Sequence, residues 1–263
     1  MQTMSESNDS EKTAAVSISQ RVTDTLYALT QSSGPISVRT IADGTGNSRS
    51  SAHRILQTLA ESGFAEQRPD GSYSTGPRLV ELAARVFGSV PVLKIADSIM
   101  TDLVAEIGET CYMATYVPGE MSATFVHRVE SNHVVRHVQS LGTRIPLHAG
   151  AVGKAILSVS DVDLDELSLV AFTAQTPTTK AKLRREVDIA RQNGYATSAS
   201  ERVADVMGVG SPLMSGETVV GGLTVAIPTS RVPASGTEEI GRIVRKHAMD
   251  LSGVLTAMGI KRL

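Results

Sequence analysis

The stretch Asn47-Ser-Arg-Ser-Ser-Ala-His-Arg-Ile-Leu-Gln-Thr-Leu-Ala-Glu-Ser-Gly-Phe64 organises everything around it. At helical period, Ala52, Ile55, Leu56 and Leu59 fall at i, i+3, i+4 and i+7, which is one apolar stripe. Arg49, Ser50, His53 and Gln57 lie off that stripe, and all can donate hydrogen bonds. Asn47 or Ser48 can cap the first turn by accepting from its unpaired backbone N–H groups, and Gly63 suits the left-handed residue that follows a helix. An ordinary amphipathic surface helix satisfies this pattern. So does a helix built to enter the DNA major groove, with one buried face and a donor-rich front end.

The flanking sequence favours the second reading. Upstream, Ser37-Val-Arg-Thr-Ile-Ala-Asp43 predicts a short helix buried through Val38, Ile41 and Ala42, and the turn Gly44-Thr-Gly46 leads into Asn47. Two short helices joined by a Gly-containing turn form a helix-turn-helix, whose second helix docks in the groove. Downstream, Phe64-Ala-Glu-Gln-Arg-Pro-Asp-Gly-Ser-Tyr-Ser74 predicts two short strands around the turn signal Pro69-Asp-Gly71. That hairpin is a wing, placing Arg68 and Ser72 near the sugar-phosphate backbone. With an earlier helix from Ile18 to Thr30, striped by Val22, Leu26 and Leu29, the expectation for residues 18–75 is a winged helix-turn-helix.

The run from Val22 to Leu82 resembles the N-terminal domain of the IclR family of bacterial transcriptional regulators. The likeness is carried by Thr45-Gly-Asn-Ser-Arg-Ser-Ser-Ala-His-Arg-Ile-Leu56 and Asp70-Gly-Ser-Tyr-Ser-Thr-Gly-Pro-Arg-Leu79. Pro146-Leu-His-Ala-Gly-Ala-Val-Gly-Lys-Ala-Ile-Leu157 is similar to that family's ligand-domain signature, and the block from Asn193-Gly-Tyr195 to Pro228 continues it in the expected order. The resemblance implies a DNA-binding regulator with a GAF-like or profilin-like effector domain. It also implies a helix that joins the two domains and belongs to a dimer contact, and assembly as a homodimer or homotetramer.

Length and composition agree with two domains. The chain has 263 residues, long for one core, and its hydrophobic share of 41% with only 3% aromatic and no Trp predicts aliphatic cores. A single cysteine, Cys111, excludes an intramolecular disulfide framework and reads as a buried strand residue in a reducing compartment. The net charge is −2, and residues 1–90 hold eight Lys/Arg against nine Asp/Glu. Binding to DNA must then depend on where Arg39, Arg49, Arg54 and Arg68 sit rather than on bulk charge, and a dimer on a two-part site fits the modest affinity of one copy. No run approaches the roughly eighteen apolar residues of a membrane span, and no signal-peptide core opens the chain. The expectation is a soluble, cytoplasmic protein.

Along the chain, residues 1–17 read as a disordered tail and residues 76–90 as a linker helix striped by Leu79, Leu82, Ala83 and Val86, broken at Gly88-Ser-Val-Pro91. Packing of this helix on the small domain is the alternative. Residues 91–263 form the second domain. Its first helix begins at Pro91, with Ile95, Ile99, Leu103 and Ile107 as the stripe. Strands are expected at Thr110 to Val117, Ala123 to Val129 and Val134 to Leu141, then helices over Ala149 to Ser158, Asp161 to Leu169 and Thr178 to Asn193. Strands at Tyr195 to Ala199, Val206 to Leu213 and Val219 to Ile227 precede a last helix from Thr237 to Met258. The fold class is therefore α+β: a winged helix-turn-helix joined by a linker helix to an antiparallel-rich sheet covered by helices.

An enzyme needs a constellation that this chain does not present. Gly150-Ala-Val-Gly-Lys154 has two residues between its glycines and Ala155 after the Lys, whereas a phosphate-binding loop needs four and then Ser or Thr. His127, His133, His137 and His148 lack metal-ligand spacing, and no Gly-x-Ser-x-Gly elbow occurs. No cofactor, metal or catalytic residue is expected.

A sensor needs only an apolar pocket with a few polar groups. The resemblance places that pocket at Ala151 and Val152, at Glu201, at Gly208, and at Thr224 and Ala226, two apart and so on one strand face. Relatives that bind small acids tend to carry Cys at the position of Gly208 and Ser at those of Thr224 and Ala226. Their loss here, with only Glu201 left of an acidic run, implies an effector larger and less acidic than glyoxylate or pyruvate, including aromatic ones. His137 could face this pocket or solvent. For DNA the resemblance and the helix pattern together name Arg39, Ser48, Arg49, Ser50, Ser51, His53 and Arg54, with Arg68 and Ser72 on the wing. The function so expected is a ligand-responsive transcriptional regulator, a repressor of catabolic or metabolic genes. An architectural DNA-binding dimer and an enzyme with an accessory DNA-binding domain are the rivals.

Overall fold

Ser17 caps the first helix, its Oγ accepting from Gln20 N. The computed structural model describes residues 17–32, 34–88, 91–261 and 263, in two units, Met1–Ser89 and Val90–Leu263. The expected tail lies outside the described residues except for Ser17, as do Ser89 and Val90 of the expected break.

In the first unit, α1 (Ile18–Gln31), α2 (Val38–Thr45) and α3 (Arg49–Glu61) precede the strands β1 (Ala65–Gln67) and β2 (Tyr73–Thr75). Leu29, Ile41, Ala52, Ile55, Leu56, Leu59 and Tyr73 form its core, so each predicted stripe supplies buried residues. Helix α2 runs two residues further than its pattern suggested, through Thr45, and ends at Gly46 in the left-handed region with φ 68°. Ser48, not Asn47, caps α3 by accepting from Ser51 N at 3.2 Å. The two strands pair antiparallel from Ala65↔Thr75 to Gln67↔Tyr73. Pro69 and Asp70 fill the turn, closed by Gly71 N donating to Arg68 O, and Gly71 has φ 81°. The next helix, α4 (Pro77–Gly88), starts on a proline, as a first helical turn permits. Of its expected stripe Leu79 is half-buried, while Leu82, Ala83 and Val86 are exposed.

The second unit is a three-layer α/β/α arrangement. Its elements are α5 (Pro91–Ile107), β3 (Thr110–Val117), β4 (Ser122–Val129), β5 (Arg144–Pro146), α6 (Ala151–Leu157), α7 (Lys180–Asn193), β6 (Ala196–Ala199), β7 (Val206–Ser215), β8 (Thr218–Pro228) and α8 (Glu238–Ala257). One antiparallel sheet runs in the order β5-β4-β3-β8-β7-β6. Side chains alternate across it. Cys111, Met113, Leu223, Val225 and Ile227 pack with α5 and α8 through Met100, Leu103, Val244 and Leu251. Tyr112 and Ala114 face the other way, where Phe125, Val152, Ile156, Leu183 and Val187 form a second core with α6 and α7. On α5 the buried face is Val92, Ala96, Met100 and Leu103, so the expected stripe is rotated and Ile95 is exposed.

Two expected elements are absent. Residues 134–141 form no strand, and the edge of the sheet is the three-residue β5 instead. The backbone of that segment is held by side chains rather than by a ladder. Tyr112 Oη donates to His137 O and accepts from Gln139 N, Arg128 Nη1 donates to Gln139 O, and Arg231 Nη1 donates to Val135 O. Residues 161–169 are turns, not a helix. Asp163 Oδ1 accepts from Asp165 N, a local bond that competes with helix, while Lys180 Nζ takes the carbonyls of Leu164 and Leu167.

Cys111 sits at zero exposure between the sheet and its helices, and burial pushes its thiol well above the ordinary cysteine value. The native protein at pH 8 should therefore not react with a disulfide thiol reagent, and one equivalent should react after denaturation; stoichiometric reaction of the native chain would contradict this packing.

Candidate functional site

Two surfaces carry chemistry, one in each unit. On α3, successive residues rotate by about 100°, so Arg49, Ser50, His53, Arg54 and Gln57 fan over roughly 140°, opposite the buried Ala52, Ile55, Leu56 and Leu59. All five are exposed. Ser51 lies between the two faces and is half-buried, and Ser48 spends its oxygen on the cap. Arg39 on α2 is exposed and stands 3.7 Å from Asp43, a pairing that a phosphate could replace.

The wing is less cationic than its sequence suggested. Ser72 Oγ donates to Asp70 Oδ1 at 2.6 Å and Ser72 N to the same oxygen at 2.9 Å, so the hydroxyl is already committed. These bonds hold the exposed Asp70 carboxyl below the usual carboxylate value. Arg68 Nε donates to Ser74 Oγ at 3.3 Å, which leaves its outer nitrogens at the surface beside that fixed negative charge.

In the second unit His137, Ala151, Val152, Glu201, Gly208, Thr224 and Ala226 line one cavity of about 60 Å3. Sheet register explains the grouping. Tyr112 pairs with Thr224, Ala226 with Gly208 and Gly208 with Ser198, all on the α6 side of β3, β8, β7 and β6. Glycines bring α6 close: a Cβ on Gly222 would lie 2.5 Å from Val152 Cγ2, and one on Gly210 would lie 3.1 Å from Val152 N. Gly208 lies close under the start of α6, since a Cβ placed there would be 3.2 Å from Ala151 Cβ.

Glu201 and Thr224 have internal duties. The Glu201 carboxylate accepts from Gly150 N at 3.0 Å and from Lys154 Nζ at 2.5 Å, and that buried ammonium also reaches Glu186 at 2.7 Å. Thr224 Oγ1 donates to Val209 O at 2.9 Å. The strongest donor on the wall is one the pattern did not single out, Arg202. It is half-buried, burial keeps its pKa below the ordinary arginine value, and its one long bond is to Gln139 Oε1 at 3.4 Å. Among the described residues no carboxylate lies within ion-pairing distance of it. His137 does face the cavity, and burial, then the Arg202 charge, lowers its pKa. The remaining wall is apolar and aromatic, with Tyr112 and Phe125 tilted at 4.7 Å between ring centres. Arg202 also borders an outer groove of about 580 Å3 lined by Arg144, His148 and Phe172, so it stands between that groove and the cavity.

Only its position beside Glu201 could have pointed to Arg202, and the strand pattern at Thr110 to Val117 could have placed Tyr112 on the pocket face. Among the described residues no group of three His, Cys, Asp or Glu is placed to hold a metal, and no helix is long and apolar enough to cross a membrane.

Comparison with known proteins agrees with this layout. Residues 84–253 match the family described as bacterial transcriptional regulator IclR C-terminal, and residues 20–69 match the IclR helix-turn-helix domain. The chain is 31% identical over 214 residues to the HTH-type transcriptional regulator KipR of Bacillus subtilis, covering 79% of this chain and 85% of that one. It is 24% identical over 231 residues to the transcriptional repressor IclR of Escherichia coli, covering 85% and 84%. The crystal structure of an IclR homologue complexed with 4-hydroxybenzoate, from Microbacterium hydrocarbonoxydans, shares the fold with a TM-score of 0.77 at 23% identity, covering 92% of this chain and 100% of that one.

In anisotropy titrations over a salt series, Arg49→Ala should weaken selective DNA binding by about 1–3 kcal/mol. Asp70→Asn should tighten binding to all sequences alike, because it removes a fixed charge of the phosphate's own sign. An Asp70→Asn variant no tighter than wild type would mean that the wing tip does not approach the duplex.

Proposed function

The chain belongs to the IclR family of bacterial transcriptional regulators, and from that premise we propose that it is a ligand-responsive repressor of metabolic genes whose effector is a small aromatic carboxylate. Arg202 is the observation that carries the effector class. A guanidinium stays protonated at neutral pH, and one that lines a cavity without a carboxylate partner has an electrostatic vacancy that a ligand anion fills. The Tyr112 and Phe125 rings, with Ile145, Val152 and Val206, suit the apolar body of such a ligand. The M. hydrocarbonoxydans homologue, whose structure holds 4-hydroxybenzoate, supports the same class. The donors absent at Gly208 and Ala226 argue for a body larger than glyoxylate, whereas Arg202 restores the requirement for one negative charge. A benzoate exceeds the space of about 60 Å3, so Arg202 and the strap of residues 134–141 must give way as it enters.

The second domain then acts by preferring one arrangement of the DNA-binding units over another, which requires that the ligand bind one state better. Leu79, Leu82 and Ala83 share one face of α4, exposed at Leu82 and Ala83, which supplies an apolar surface for a second copy, so the working form is a homodimer or a homotetramer in the cytoplasm, bound to double-stranded operator DNA.

Calorimetry and thermal shift with 4-hydroxybenzoate, benzoate, benzamide and glyoxylate check the reading. Benzoates should bind and raise Tm, the neutral benzamide should not, and Arg202→Met should lose roughly ten-fold or more in benzoate affinity, as expected when a hydrogen bond to a charged group is removed. Equal response to benzoate and benzamide, or response to glyoxylate alone, would sink the assignment.

A further inference from the structure

The first turn of α4 is fastened to the end of the recognition helix α3. Gly76 N donates to Phe64 O at 2.9 Å and Arg78 N to Gly63 O at 3.1 Å. Arg78 Nη1 also donates to Ser62 O at 3.1 Å, so one residue satisfies two of the carbonyls around the C-terminus of α3. Its guanidinium carbon lies 6.0 Å from the centre of the Phe64 ring, within cation–π range. Gly76 is buried, and a Cβ on it would overlap Gly63 O and stand 2.8 Å from Ala65 O. Only glycine lets the two backbones come this close. Beyond this turn, residues 80–86 are exposed, so α4 is held to the small domain at its start.

We propose that Gly76 and Arg78 are positioning residues for operator recognition. They make α3 and α4 one rigid body, so the direction of α4 decides where the recognition helix points. In a pair of chains joined through α4, that direction sets the spacing of the two half-sites; this part rests on the dimeric reading given above. A flexible joint at residue 76 would let each recognition helix find its groove independently, and spacing would not be read. None of the four contacts involves a residue named above for DNA contact, so their proposed effect on recognition is through geometry.

The test is selection of the full-length chain on a DNA pool with random half-sites and variable spacers. Wild type should enrich paired half-sites at one spacing. Arg78→Ala, which removes an exposed side chain, and Gly76→Ala, which wedges the two backbones apart, should enrich the same half-site with loss of the spacing preference. A merely structural role would lower affinity at every spacing and leave the preference intact. That outcome overturns the proposal while sparing the dimer. A wild-type pool without paired half-sites overturns both. Where a variant no longer binds DNA, spin labels at Gln57→Cys and Arg85→Cys give a second measurement, because buried Cys111 stays unlabelled. The wild-type distance distribution should be narrow and those of the variants broad; equal widths overturn the proposal.

Discussion

A lysine ammonium with almost no exposed surface lies between two carboxylates, one of which lines the cavity of the second domain, and the architecture of that domain depends on it. Lys154 on α6 reaches Glu201 in the loop after β6 and Glu186 on α7. Glu201 in turn receives the backbone N–H of Gly150, where α6 begins. One buried cluster thus fixes the helix start, the loop that carries Arg202 and the covering helix. Removing either partner of such a pair leaves an uncompensated buried charge, which costs about 3–5 kcal/mol. The cluster is best understood as a clamp on geometry, since a buried ion pair offsets little more than its own desolvation.

The same economy explains what the cavity can recognise. Most polar groups on its wall are already spoken for: Glu201 by Lys154 and Gly150, Thr224 by Val209, and Tyr112 by the backbone at His137 and Gln139. Arg202 is left with a single weak bond to Gln139. An apolar ligand would leave that guanidinium poorly satisfied, whereas an anion would complete it, so in the proposed reading discrimination would come from an unmet electrostatic need rather than from many donors. The Gln139 side chain that touches Arg202 belongs to residues 134–141, whose backbone is held mainly by bonds from side chains. A change at Arg202 would therefore be felt in this segment.

The DNA-binding unit works under a different constraint, because its charges nearly cancel. Steering by net charge is weak, and affinity must come from placement. Helix α3 concentrates Arg49, His53 and Arg54 on the face turned from the core, while the wing tip carries the fixed negative charge of Asp70. In the proposed pair of chains, little bulk attraction to DNA would leave selectivity to the spacing of the two recognition helices, which is where a stiff junction between α3 and α4 would have value.

Much of this was legible along the chain. Stripes at 3.6-residue period identified α1, α2 and α3 with their buried faces, and period-two alternation identified β3, β4, β7 and β8 and put Thr224 and Ala226 on one side. Local period reports which face is buried, because burial of a continuous face is what a helix or strand must achieve. The residues that tertiary structure alone decided share a different character. Residues 134–141 carry the valines of a strand but are bound by Tyr112, Arg128 and Arg231 from remote parts of the chain. Ser72 read as a phosphate donor, but in the fold its hydroxyl donates to Asp70, and Arg202, which no local pattern singles out, stands on a cavity wall with no carboxylate partner among the described residues. Periodicity determines which residues turn inward; which donor meets which acceptor depends on how distant segments are brought together, and no local pattern encodes that.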